Sequence, residues 1–95
     1  MRVSLTESAV SDLQELCKYY EEQGVPKVGQ QFVTEIIDRI ETLTTHPDIG
    51  RVVPEFSTDS IRELIHSPFR VVYFREIRSI FVVRVWRSER SLELP

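Results

Sequence analysis

A chain of 95 residues, 41% hydrophobic and 28% charged, has the composition of one soluble globular domain over residues 1–95 rather than of a disordered segment. No stretch approaches the ~20 apolar residues of a membrane-spanning helix, and the opening "MRVSLTESAV" lacks the ~7–15-residue apolar core of a secretory signal. The net charge of −3 divides unevenly: residues 1–48 carry nine acids against four bases, and residues 49–95 carry six acids against eight bases, all arginine.

"RVSL" at 2–5 alternates weakly and predicts a short strand. Thr6 is a good helix N-cap and Glu7 favours the first turn. Ala9, Leu13, Leu16, Cys17 and Tyr20 then fall on one helical face. Cys17 is the lone cysteine and forms no internal disulfide, which fits a reducing cytoplasm; on an apolar face it reads as a structural thiol. Gly24 ends this helix and Pro26 starts the next at its first position. Phe32, Val33, Ile36, Ile37, Ile40 and Leu43 give the second helix a wide apolar face, which "THPDIG" terminates. The short connection predicts an antiparallel helical hairpin. "GRVVPEF" reads as a loop, with Arg51 anchoring helix to sheet or joining a basic surface.

The period then changes. "IRELIH" at 61–66, "FRVVYFRE" at 69–76 and "SIFVVRVWR" at 79–87 read as strands, with "EIRS" at 76–79 as the last turn. Pro68 belongs at a strand start or an edge, where no ladder donor is lost. The order β-α-α-β-β-β predicts an α+β fold: a short N-terminal strand and an antiparallel helical hairpin packed on a mainly antiparallel sheet.

Several pieces in this order resemble the RelE/ParE superfamily of toxins from type II toxin–antitoxin modules. They are "LTESAVSDLQELCKYYEEQG" with its Ser-Ala-x-x-Asp-Leu beginning, "HPDIGRVVPE", "REL", "SPFRVVYF", and a valine-rich strand running into arginines. The resemblance implies a compact sheet against two N-terminal helices, a cognate antitoxin that wraps the toxin, and a role such as plasmid stabilisation. It implies operator DNA contact only through the antitoxin, with no cofactor. Two branches then diverge. ParE-like members act on a protein target, with DNA gyrase as precedent. RelE-like members cut mRNA on the ribosome and commonly supply a Tyr or His after the terminal strand. Here that tail is "RSERSLELP", with Leu94 about where the tyrosine falls and Arg87 where a histidine is frequent. Arginine is a poor acid or base at neutral pH. The chain is thus closer to the ParE branch, and a ribonuclease would have to improvise with Arg70, His66 and Arg87.

Arg70 shares a strand face with Val72 and Phe74. It either pairs with a carboxylate such as Glu63 or clamps a phosphate. By alternation Arg84, Trp86 and Val82 share one face of the last strand, and Arg87, Val85 and Val83 the other. Arg84, Trp86, Arg87 and Arg90 form either a solvated strand end partnered by Glu89 and Glu93, or an anion-binding surface for nucleic acid or an acidic antitoxin segment. Arg70 joins that binding set. His46 reads as a helix C-cap, and His66 could face the cleft near Arg70. No Cys/His/Asp cluster has metal-ligand spacing.

Overall fold

Residues 1–88 are described by the computed structural model. Strand β1 (Arg2–Leu5) leads directly into helix α1 (Glu7–Glu22). Thr6 caps the helix as its position predicts: its Oγ1 accepts the Ala9 amide at 3.2 Å. The Thr6 amide and hydroxyl also bond the carbonyls of Val82 and Val83, tying the helix start to the sheet. Gly24, at φ +78°, takes the left-handed conformation that ends α1 without steric cost. Pro26 opens α2 (Pro26–Glu41), which continues into a 3₁₀ turn at Thr42–Thr44.

The remaining strands are β2 (Arg51–Val52), β3 (Ile61–His66), β4 (Phe69–Arg75) and β5 (Ser79–Arg87), in the sheet order β1-β5-β4-β3-β2. β1 runs parallel to β5, and the other pairings are antiparallel. The expected α+β arrangement holds with one addition. The segment read as a loop contains β2, whose Arg51 and Val52 pair with Glu63 and Arg62. Two residues carry no alternation, so only tertiary pairing reveals the strand. The last turn closes by a bond from the Glu76 amide to the Ser79 carbonyl, and β4 ends one residue before the sequence suggests. Pro68 precedes β4 in the β3–β4 turn, where it costs no ladder donor.

Both faces of the sheet are apolar, for different reasons. On the inner face, Ala9, Leu13, Leu16, Ile36, Ile40 and Leu43 from the helices and the 3₁₀ turn meet Leu64, Val71, Tyr73, Ile80, Val82 and Val85. On the outer face, Ile61, Val72 and Val83 pack with Val53, Phe56 and Phe74, so the loop after β2 supplies part of that cover. Strict alternation along β5 fails at one point. Val72 pairs with Arg84 and Tyr73 with Val82, leaving Val83 without a cross-strand partner. This irregularity puts Val82 and Val85 together in the inner core and Val83 in the outer cluster. Gly50 is held by close approach: a Cβ there would stand 2.8 Å from the Glu63 carbonyl oxygen and closer still to the Tyr73 ring.

Candidate functional site

The sequence places opposite charges in apolar rows of neighbouring strands: Glu63 between Ile61 and Ile65, and Arg70 before Val72. The register makes them near neighbours, since Glu63 pairs with Val72 and Ile65 with Arg70. Arg70 Nε donates to Glu63 Oε1 at 2.6 Å, and its two terminal nitrogens donate to Glu55 at 3.2 and 3.4 Å. Glu63 Oε2 accepts from Arg51 Nε at 2.7 Å. The result is a continuous chain of alternating charge, Arg51–Glu63–Arg70–Glu55, on the outer face. The Glu63 side chain is wholly buried and that of Arg70 is 8% exposed, whereas those of Glu55 and Arg51 reach solvent. Burial works against the Arg70 charge, but the bonds to Glu55 and Glu63 outweigh it and hold the guanidinium above its ordinary range. The Arg70 bond, followed by its own backbone amide, holds the Glu55 carboxyl below the usual value. Of the alternatives for Arg70, the carboxylate pairing is the one adopted. Arg51 anchors strand to strand through Glu63, rather than helix to sheet.

His66 does not join this cluster. It pairs with Phe69, which belongs to the inner core, and its Nε2 lies 2.9 Å from Glu35 Oε1 on α2. That bond, with a second from Gln31, holds Glu35 below the ordinary glutamate range. His66 and Arg70 therefore point to opposite faces, and the reading of His66 near Arg70 is corrected: the β3–β4 turn puts His66 in register with an inward-facing residue. His46 is exposed, with its Nδ1 2.9 Å from Thr45 Oγ1. Cys17 lies half-buried where α1 crosses Gly29 of α2.

At the far end of β5, the split of the arginines between faces holds. Arg84 stacks over Trp86, 4.2 Å from the ring centroid, while Arg87 lies 5.7 Å from the ring of Phe69 on the inner side. Arg84 is also gripped by Asp12 of α1 through two 2.8 Å bonds, and Asp12 accepts the Val85 amide at 2.9 Å. One carboxylate thus ties α1 to the backbone of β5 beyond the end of β1. Asp12 entered the sequence reading only as the acid of the Ser-Ala-x-x-Asp-Leu piece, with no role assigned, although its place carried a signal: it sits three residues after Ala9 and four before Leu16, an acid beside the buried stripe. A groove of about 480 Å³ opens alongside, between α1 and the strands, lined by Leu16, Tyr19, Tyr20, Phe69, Val85 and Arg87 among others. Arg90, with Glu89, Glu93 and Leu94, lies outside the described residues.

The three groups a ribonuclease would need are therefore distributed. Arg70 is enclosed by carboxylates on the outer face, and His66 and Arg87 belong to the inner side. Among the described residues, no three Cys, His, Asp or Glu side chains gather as metal ligands, and no helix is long and apolar enough to cross a membrane.

Comparison with known proteins agrees with this architecture. The family model described as ParE toxin of the type II toxin–antitoxin system, parDE, matches residues 3–92. Among solved structures, a chain from "Chromosomal ParDE TA system from P. aeruginosa" superposes with a TM-score of 0.78 at 22% identity, covering 94% of this chain and 97% of the other. No curated protein matches.

Proposed function

The chain belongs to the ParE toxin family of type II toxin–antitoxin systems, and on that premise we propose that it inhibits growth by binding a protein target, with DNA gyrase as the family precedent. A cognate antitoxin neutralises it in the cytoplasm, and operator DNA is reached only through that antitoxin. The module would serve plasmid or replicon stabilisation. The observation that carries this reading is the enclosure of Arg70. A phosphate clamp must offer donors to a developing charge, and this guanidinium spends Nε on buried Glu63 and both terminal nitrogens on Glu55. RNA cleavage by 2′-hydroxyl attack also needs a general base and a general acid within reach of the same phosphate. His66, the nearest histidine in sequence, is bonded to Glu35 on the other side of the sheet.

The end of β5 fits a binding role better, although Arg84 there is itself bonded to Asp12. Arg84 and Trp86 form a stacked, partly neutralised pair, and exposed Arg87 lies beside the groove. An antitoxin segment would bury apolar side chains along this region and set acids against the exposed guanidinium edges. Purified protein added to a gyrase supercoiling reaction tests the proposal. Inhibition that is relieved by the antitoxin encoded beside it is expected; full supercoiling with no binding to either gyrase subunit would overturn the gyrase assignment.

A further inference from the structure

Among the exposed large hydrophobic side chains of the described residues, the two most open are Ile77, at 89%, and Ile49, at 57%. Both stand at the end of the molecule opposite the arginine-rich end of β5. Ile77 sits in the β4–β5 turn and Ile49 in the loop before β2. One side chain joins the two segments. Arg75 Nε donates to Asp48 Oδ1 at 2.9 Å, and Arg75 Nη1 donates to the carbonyl oxygens of Glu76 and Ile77. A third segment is tied in by the Arg2 amide, which bonds the Arg78 carbonyl at 3.3 Å and brings exposed Met1 alongside.

The bracing explains how a turn without glycine closes. The isoleucine side chain at the apex takes no part in that bracing, which runs through the backbone carbonyls of Glu76 and Ile77. An apolar side chain on a pinned turn loses little freedom on association, which is what a contact residue requires. The charge around it has a direction. Arg75 and Arg62 both face Asp48, Asp59 and Glu76 add two further acids, and exposed Arg2 and Arg78 leave this end with four arginines against three acids. The surface therefore suits a protein with an apolar depression bordered by carboxylates.

Resting on the toxin reading above, we infer that Ile77, with Ile49 and Arg78 beside it, is the surface that engages the toxin's protein target. It stands apart from the anion-binding end, because Ser79 and Arg87 terminate a strand spanning roughly 25 Å. Target contact and antitoxin contact should then be separable by substitution.

The test uses the full chain, expressed from a tightly controlled promoter, as wild type, Ile77→Asp and Arg78→Glu. Each purified protein is also titrated with the cognate antitoxin and melted. Because both side chains are exposed, folding and antitoxin affinity are expected to match wild type. Target affinity is expected to fall about thirtyfold or more for Ile77→Asp, read as restored growth under induction. Growth arrest by both folded variants, as strong as by wild type, would overturn the inference. So would a parallel loss of antitoxin binding, or a wild-type self-association that Ile77→Asp abolishes. A wild type that leaves growth untouched would overturn the toxin reading itself, and this inference with it.

Discussion

Removing the Glu63 carboxylate is the sharpest probe of the outer face. The Glu63 side chain is completely buried and holds Arg70 at 2.6 Å and Arg51 at 2.7 Å. Glu63→Ala leaves the Arg70 guanidinium, 8% exposed, with only the solvent-reaching Glu55 as partner. Breaking a buried pair from one side costs about 3–5 kcal/mol. A domain of this size is stable by roughly 5–14 kcal/mol, so the variant forfeits a large share of its stability. At ~4–8 °C per kcal/mol, its Tm should fall by more than about 12 °C. Arg51→Ala, at a side chain 63% exposed, should cost no more than ~1 kcal/mol. The double variant Glu63→Leu/Arg70→Met replaces the pair with apolar volume and should recover most of the loss, because neither charge is then stranded. Thermal and urea unfolding of Glu63→Leu, Arg70→Met and the double give the coupling energy directly. A Glu63→Ala cost below about 1 kcal/mol, or a double variant whose cost equals the sum of its singles, would refute the view that this pair is a closed structural unit.

Three further outcomes follow from the same geometry. Asp12→Ala strands Arg84 and the Val85 amide together and should cost about 2–3 kcal/mol in a melt; Asp12→Asn, which keeps an acceptor for the amide, should lose less. Tyr73 donates to the Pro47 carbonyl and accepts the buried Gly50 amide, each at 3.0 Å. Tyr73→Phe should therefore cost about 1–3 kcal/mol with the fold unchanged by circular dichroism. pH acts from both sides. Glu35, bonded to His66, and Glu55, bonded to Arg70, are held below the ordinary glutamate value. Their contribution is present above that value and is lost as pH falls through the lower folded-state values, so Tm should drop below about pH 4. Burial pushes the Tyr73 hydroxyl up. Its contribution is present below the unfolded value and is lost as pH rises past about 10, and Tyr73→Phe should flatten that alkaline limb alone.

The sequence announced most of the architecture because its local signals agree with one another. Thr6, Gly24 and Pro26 mark helix ends by capping and backbone chemistry, and the periods of 3.6 and 2 mark which faces turn inward. What it hid is non-local. β2 is too short to show a period and exists only through its pairing with β3. The irregularity at Val83 requires knowing that Val72 meets Arg84, and it overrides an alternation that otherwise predicts faces correctly. His66 shows the same limit: adjacency to Arg70 in sequence says nothing about face until the turn fixes the register. The arginines were visible as residue types, but most of their partners were not. Glu63 was legible as an acid in an apolar row, Asp12 could have been found as an acid beside a buried stripe, and Glu55 gave no signal because a loop brings it over the sheet.

Whether the protein arrests growth while leaving RNA intact is read by primer extension on mRNA from cells expressing the wild-type chain. Arrested growth with full-length messages and no new codon-phased ends is expected. Codon-phased cuts that accompany the arrest, and that vanish with Arg70→Ala in a folded protein, would contradict it.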